Sequence, residues 1–263
     1  MYPWRKILVP TDFSTASQWV FDDAVRLAAS TGAEILVVHV RITRGSKLRF
    51  PADDSVYEYA ENQELELLRD RMLKMNENVR TRMIVRKGPD PADEIQQLVE
   101  LESVDLIVMA SHASHLVSHL LVGSTTTGIL RRCTVPLMAI RYGIRKRDAL
   151  SHLAAPIEVV SDSPAARSLI ESIAIHEKAT VSLVAKERQG DLSQISPFFG
   201  GSSVSLTVIN ERKVEKRAIR FVENHPTDLL VIDSDCKASG ELDSAVEWIV
   251  RHANAPVLVV PSA

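Results

Sequence analysis

Two short segments of the chain carry groups suited to holding a phosphorylated ligand. Gly123-Ser124-Thr125 comes directly before a helical pattern that runs through Ile129 and Leu130. Free backbone N–H groups and a hydroxyl at a helix N-terminus form a natural seat for a phosphate. The second segment, Pro10-Thr11-Asp12, ends an apolar run near the start of the chain. Both are candidate binding segments, provided that the fold brings them together.

A parallel sheet would bring these segments to one edge. In both halves of the chain, short Val/Ile/Leu runs without polar alternation are separated by amphipathic helical stretches, which is typical of a parallel sheet covered on both faces. In such doubly wound α/β sheets, ligands bind outside the carboxyl ends of the strands where the strand order reverses. The residues after the first strand, 10–12, and after the fourth, 110–125, therefore form the candidate site.

Helix signals occur at the positions that this layout requires. Ser14 is a suitable N-cap for a helix that Gly32 follows. Asp90-Pro91 opens another helix, with acidic residues in its first turn where the helix dipole favours them. Ser163-Pro164 repeats the signal in the second half.

The same order of elements occurs twice along the chain. Residues 6–12 align with 156–162, residues 105–109 with 228–232, and residues 134–140 with 254–260, at offsets of 150, 123 and 120. We therefore predict two domains, at residues 1–143 and 154–263, joined by a connector over 141–153. Its basic run, 145–147, is typical of a solvated connector.

The offset also locates a deletion. It is 146 at the second strands and 123 at the third, so the second half is 23 residues shorter there. That is the length of the helix-rich segment from Asp54 to about Glu77. We predict that the second half has shortened or lost this helix, with a loop at 193–203 instead.

Composition excludes several classes of protein. The 263 residues are 45% hydrophobic and 25% charged, as in globular proteins. A net charge of −3 provides no cationic surface for nucleic acid. Cys133 and Cys236 have no zinc-ligand or disulfide spacing, and no apolar run approaches the length of a membrane span. We expect a cytoplasmic protein that binds neither nucleic acid nor membranes.

Several motifs together resemble those of the universal stress protein family. They are Ile-Leu-Val-Pro-Thr-Asp-Phe-Ser at 7–14, Val-His-Val at 38–40, Lys-Gly-Pro at 87–89, Asp-Leu-Ile-Val-Met at 105–109, Leu-Val-Gly-Ser-Thr at 121–125 and Val-Pro at 135–136. The resemblance is close over 4–140 and weak over 156–260. It implies a tandem member with two doubly wound, five-stranded, Rossmann-like domains of the adenine nucleotide alpha hydrolase type. These would form an intramolecular pseudo-dimer.

The resemblance also implies a nucleotide site in the first half. In the ATP-binding branch, a Gly-x2-Gly-x9-Gly-Ser/Thr loop holds the phosphates, but Ala110 and Ala113 replace its first two glycines here. An added Cβ weakens such a seat without removing its N–H groups. The remaining correspondences place the adenosine moiety at Asp12, adenine beside Thr11 and Val40, and phosphate at Gly123, Ser124 and Thr125, with Pro10 adjoining them. The implied ligand is ATP, AMP or ADP, with or without Mg²⁺.

Simpler interpretations of these residues stay open. Asp12 is also a plausible helix cap, and Gly123-Ser124 an ordinary helix start. The aligned loop of the second half, 233–242, carries Asp233, Asp235 and Glu241, whose charges would repel a polyphosphate. We expect that half to be a degenerate partner without ATP.

Two alternative functions have some support. The replaced glycines favour a dimerising scaffold or adaptor that binds no nucleotide. His112, His115 and His119 have spacing suited to a transition metal, although solvent-exposed polar side chains explain them more simply, and we expect no metal. No nucleophile with a base, carboxylate pair or lysine-containing P-loop is found, so we expect a non-enzyme, with slow ATP hydrolysis at most.

The last strand of each half is short and apolar. These segments, 135–140 and 255–260, are edge strands of their predicted domains, and unpaired edges invite pairing. In the family this strand commonly pairs across a dimer interface, so the two halves of one chain could pair here. Cover by the connector is the alternative, and the pseudo-dimer could itself form a homodimer.

Overall fold

A computed structural model describes residues 4–43, 54–111, 122–132, 134–144, 148–186, 202–234 and 244–261. The first half comprises β1 (Lys6–Thr11), α1 (Thr15–Trp19), α2 (Phe21–Thr31), β2 (Glu34–Ile42), α3 (Asp54–Met75), β3 (Thr81–Gly88), α4 (Pro91–Glu102), β4 (Leu106–Ala110), α5 (Ser124–Leu130) and β5 (Leu137–Ile140). The second half comprises β6 (His152–Pro156), α6 (Ile157–Asp162), α7 (Pro164–Glu177), β7 (Thr180–Ala185), β8 (Val204–Val208), α8 (Val214–Asn224), β9 (Leu229–Ser234), α9 (Ser244–His252) and β10 (Val257–Pro261).

The described strands form one ten-stranded sheet. Its order is β3-β2-β1-β4-β5-β10-β9-β6-β7-β8, and β5 pairs with β10 in the antiparallel direction, with Met138 opposite Leu258. The other neighbours pair in parallel. This arrangement confirms the doubly wound fold and the pseudo-dimer, because the terminal strands of the two halves pair with each other. In the first half, the strand order reverses between β1 and β4.

Alternating side chains of each strand supply two hydrophobic cores, one on each face of the sheet. In β1, Ile7 and Val9 join one cluster and Leu8 joins the other. Each cluster contains residues of both halves; Leu153 is in the first and Ala154 in the second. The two halves therefore share both cores across the sheet.

The predicted helix ends are confirmed, but the single helix expected between Ser14 and Gly32 is divided at Val20 into α1 and α2. The Ser14 side chain accepts a hydrogen bond from the Ser17 N–H, and Gly32 ends α2 with a left-handed φ of 73°. Asp90 accepts from the Ala92 N–H at 2.8 Å. In the second half, Ser163 accepts from the α7 N-terminus in the same way. These local signals needed no tertiary context, since each cap binds its own helix.

The predicted alignment of the first strands is wrong by four residues. Residues 157–162 form helix α6, not a strand, and β6 ends at Pro156. Asp105 Oδ2 accepts from the Arg5 and Lys6 N–H groups at 2.8 and 2.9 Å, and Asp228 Oδ2 accepts from those of residues 151 and 152 at 2.9 Å. Lys6 therefore corresponds to residue 152, an offset of 146. A short apolar run fits a strand or a buried helix equally well.

The offsets at the second and third strands are confirmed. Residue 35 pairs with 81, and residue 181 pairs with 204, so the 23-residue difference lies between these strands. The predicted helix of the first half is α3. Most of the loop predicted at 193–203 lies outside the described residues.

Part of the predicted connector is buried. Ile144 and Leu150 belong to the first core cluster, and Tyr142 makes an edge-on contact with Trp19, with ring centroids 5.1 Å apart. Strand β6 begins at His152, inside the segment that was expected to be irregular. The basic run at 145–147 lies outside the described residues, and the domain bounds stay a prediction.

Candidate functional site

A cavity of about 240 Å³ lies at the carboxyl ends of β1, β2 and β4, where the strand order reverses. Eight of the nine predicted site residues line it: Pro10, Thr11, Asp12, Val40, Ala110, Gly123, Ser124 and Thr125. Ala113 lies outside the described residues. Sequence analysis had left out further lining residues: Ser17, Val38, His39, Ile42, Pro91, Ile95, Met109 and Thr126.

The lining of the cavity combines two kinds of side chain. Val38, Ile95 and Met109 are apolar and belong to the core cluster on the α4 side of the sheet. Ser124, Thr125 and Thr126, which open α5, carry hydroxyl groups. Among the described lining residues there is no lysine or arginine. A flat apolar group and a phosphorylated group would therefore find different surroundings in one cavity.

The Asp12 carboxylate sits on a tight turn between β1 and α1. Its Oδ1 accepts from the Ser14 N–H at 3.0 Å and from the Ser14 hydroxyl at 2.5 Å. Between them, Phe13 has a left-handed φ of 61°, which is strained for a bulky residue. Asp12 thus braces the turn and lines the cavity, but the N-cap of α1 is Ser14, so the capping interpretation of Asp12 is wrong.

The start of α5 is fixed against the end of β4. Gly123 is the N-cap, and its N–H donates to the Ser111 carbonyl oxygen at 2.9 Å. In this conformation the Gly123 N–H is engaged by Ser111, and the expected contact of Gly123 with phosphate stays a prediction. The buried Thr126 hydroxyl donates to the Ala110 carbonyl at 3.0 Å. The first-turn N–H groups of Ser124 and Thr125 have no carbonyl partner within the helix and remain the candidate donors.

The alanine at the first replaced glycine does not block the cavity. Ala110 shares a core cluster with Leu106 and Val108, whereas Ile107 and Met109 belong to the cluster on the opposite face. Its methyl group therefore packs with the core on the α1–α2 side of the sheet. Its backbone remains at the end of β4, where the strand borders the cavity.

A charged network lies beside the cavity on α3 and β2. Arg41 binds Glu61 through Nε, at 3.0 and 2.9 Å to the two carboxylate oxygens, and also through Nη2. It reaches Glu58 at 2.9 Å, and Lys87 reaches the same oxygen at 2.8 Å. The Arg41 guanidinium holds the pKa of the Glu61 carboxyl below its usual range. The pKa of Arg41 is raised in turn, chiefly by Glu61.

The counterpart of Asp12 in the second half takes part in an ion pair. The corrected offset of 146 makes Glu158 that counterpart. Arg217 is only 2% exposed; it binds Glu158 and donates to the carbonyl oxygens of Glu211 and Arg212 at 3.0 and 3.2 Å. This ion pair ties the start of α6 to α8, so Glu158 is already paired within the chain.

The residue before α9 also differs from that before α5. Ser244 opens α9 as Ser124 opens α5, but the preceding residue in the sequence is Asp243 instead of glycine. Asp233 lies on β9, opposite Val260, while the expected charges at 235 and 241 lie outside the described residues. His112, His115, His119 and both cysteines lie outside them as well. Within the described ranges, no helix is long and apolar enough to cross a membrane.

The fold and the site define a tandem, Rossmann-like α/β protein with its cavity at the topological switch point. A family model described as the universal stress protein family matches residues 3–141. This match spans more than half of the chain, which belongs to that family.

Some similar proteins match about half of the chain, and others match nearly all of it. A universal stress protein of Methanothermobacter thermautotrophicus is 32% identical over 142 residues, which cover 51% of this chain and 95% of the relative. Universal stress protein MJ0577 of Methanocaldococcus jannaschii is 26% identical over 155 residues, 52% of this chain and 95% of its own. The structure of a universal stress protein from Archaeoglobus fulgidus covers 98% of this chain and 96% of its own, with a TM-score of 0.78 and 20% identity. The tandem fold therefore recurs in a solved structure.

Proposed function

We propose that this tandem universal stress protein binds one adenine nucleotide in its first half and acts in the stress response through that binding. The convergence of residues 10–12, 40, 110 and 123–125 on one cavity carries the proposal. These segments are far apart in the sequence, yet the parallel strands and α5 bring them to a single edge of the sheet.

The cavity suggests an orientation for the nucleotide. Adenine would lie against the apolar walls near Val40, and Asp12 would meet the ribose. Phosphate would lie at the start of α5, where the N–H groups of Ser124 and Thr125 point outward from the first turn. No cationic side chain is among the described lining residues, so part of the phosphate charge would be left for Mg²⁺ or solvent to balance.

The second half has a structural role in this proposal. Glu158, the counterpart of Asp12, is paired with Arg217, and Asp243 precedes the helix that would otherwise seat a phosphate. This half contributes β10, which pairs with β5 and covers the edge of the first half. We propose one nucleotide per chain and a role in binding without catalytic turnover.

The direct test is to identify the ligand that copurifies with the protein. Native mass spectrometry of gently purified protein should detect ATP, ADP or AMP at up to one per chain. Asp12→Ala should lower the bound fraction. Asp93→Ala is the matched control, because Asp93 is an exposed acid on α4 that binds Arg132 and lies outside the cavity. Protein that neither copurifies with nucleotide nor binds millimolar ATP would refute the proposal.

A scaffold function is the second candidate, and one observation favours it. The Gly123 N–H already donates to Ser111, so the phosphate seat has one free donor fewer than the resemblance implies, and alanine in place of the first two glycines of the family's loop adds a Cβ at each. The paired β5 and β10 would then serve assembly alone. This function predicts that nucleotide leaves the melting temperature unchanged.

A further inference from the structure

His39 contacts the turn that presents Asp12. In the strand register it lies opposite Thr11, and its Nδ1 is 2.9 Å from the Thr11 carbonyl oxygen. A carbonyl oxygen only accepts, so Nδ1 carries the hydrogen whether the ring is neutral or protonated. The imidazole is 14% exposed and lines the cavity. Its position is therefore fixed by the last peptide of β1.

The same imidazole supports the strained residue of the turn. The Phe13 ring packs on His39, with centroids 4.5 Å apart. Phe13 holds its left-handed backbone with its N–H donated to Thr11 Oγ1 at 3.0 Å and its carbonyl accepting from Gln18 at 3.1 Å. A strained conformation persists only where neighbouring groups hold it. His39 touches both sides of Asp12, through the residue before it and the residue after it.

Glu61 of helix α3 faces the other edge of the imidazole. Its Oε1 is 3.6 Å from His39 Nε2, which is an ion pair when the ring is protonated, because Nδ1 carries the single hydrogen of the neutral ring. Arg41 binds both oxygens of that carboxylate. The carboxylate thus faces the ring nitrogen opposite the one that binds Thr11. In the second half, the chain between the corresponding strands is 23 residues shorter, and Glu158 replaces Asp12. The two halves therefore differ both in the segment that carries Glu61 and in the residue at the position of Asp12.

We propose that His39 is a positioning residue for the ligand site, which holds the Asp12 turn in its binding conformation and is itself held by Glu61 when the ring is protonated. This inference rests on the proposed nucleotide binding. It predicts that the affinity for nucleotide depends on α3, because Glu61 of that helix contacts His39, and His39 contacts the turn that presents Asp12. Displacement of α3 would then weaken ligand binding without any change in a group that touches the ligand.

The test measures two quantities separately. One is the rate of hydrogen exchange in the turn of the nucleotide-free, full-length protein, and the other is the affinity for ATP. Hydrogen exchange at the Phe13 and Ser14 amides, followed by NMR, reports on the turn, and titration calorimetry with ATP gives the affinity. His39→Ala should speed both exchange rates and weaken ATP binding by roughly threefold to tenfold, the effect of one lost hydrogen bond. His39→Asn should restore much of both, because its amide N–H replaces the Nδ1 donor.

Two glutamate variants separate the supporting contact from a general charge effect. Glu61→Gln should speed exchange at the turn, by less than His39→Ala does. Glu58→Gln is the control, because Glu58 binds Arg41 and Lys87 but is not among the contacts of His39. It should leave the exchange rates and the affinity unchanged. Equal effects of the two variants would overturn the role of Glu61.

Each remaining outcome is decisive. Unchanged exchange in His39→Ala would overturn the positioning role, even if affinity falls, because His39 would then act on the ligand directly. Faster exchange with unchanged affinity would overturn it as well, since the turn would not govern binding. If the wild-type protein binds no ATP, the proposed function fails, while the exchange measurements still decide whether His39 holds the turn. If His39→Ala does not fold, His39→Asn and Glu61→Gln provide the same comparison.

Discussion

Placing a carboxylate at Gly123 should separate stability from nucleotide binding. Gly123 has φ −59° and ψ 145°, a conformation open to any residue, and it is the N-cap of α5. Aspartate and asparagine are both good N-caps, so Gly123→Asp and Gly123→Asn should leave the free energy of unfolding within a few tenths of a kcal/mol of wild type, or raise it. Neither variant should disturb the fold.

The two variants should differ in affinity. An aspartate at this position would lie about 5 Å from a bound phosphate, and each unit of phosphate charge would be repelled by about 1 kcal/mol at the dielectric constant of water or about 3 kcal/mol at an effective value of about 20. Affinity should therefore fall by roughly fivefold to 150-fold per unit charge. In both variants the side chain competes for the N–H groups of α5, so their difference isolates the charge.

Thermal shift with ATP and titration calorimetry measure this difference. Gly123→Asp should lose the ATP-dependent rise in melting temperature, while Gly123→Asn should keep a reduced rise. The chain itself carries the analogous aspartate, Asp243, before α9. Equal ATP affinities for the two variants would refute the assignment of the phosphate to the start of α5.

Three further predictions concern the framework around the site. Asp105→Ala and Asp228→Ala each remove the acceptor of two backbone N–H groups, so urea unfolding should show similar losses of about 1–2 kcal/mol; a loss in only one variant would contradict their equivalence. Gly128→Ala places a Cβ 2.8 Å from that of Ala92, and overpacking of about 1–3 kcal/mol should exceed the helix-propensity gain of about 1 kcal/mol; a higher urea midpoint would contradict this. The pKa of Glu61 is lowered on folding, so its charge stabilises the protein above the ordinary value of 4.5. Wild type should therefore exceed Glu61→Gln in stability at pH 7, and the difference should shrink as the pH falls below that value; a difference that grows in acid would refute the ion pair.

Most strands were accessible from the sequence because buried parallel strands are continuous apolar runs. The predicted alignment of the two halves was wrong at one place, the first strands. Ile157 and the residues after it are as apolar as a strand, and local pattern does not separate the two states. Asp228 resolves the register by binding the backbone at residues 151 and 152. That contact spans more than seventy positions, so no local pattern reveals it.

The candidate site was only partly accessible for the same reason. Thr11 and Gly123 could be placed together because strand ends meet at one edge of a parallel sheet. The bond from the Gly123 N–H to Ser111 depends on how the chain returns to β4, which the residue types do not encode. His39 was noted only within a motif, since its role depends on Glu61 from a separate helix.

If only the first half binds a nucleotide, the chain binds a single ATP molecule. Calorimetric titration of nucleotide-free protein with ATP should give saturable binding at one molecule per chain. A stoichiometry of two would contradict this, because the second half would then also bind ATP. No saturable heat, with an unchanged melting temperature at millimolar ATP, would contradict nucleotide binding altogether.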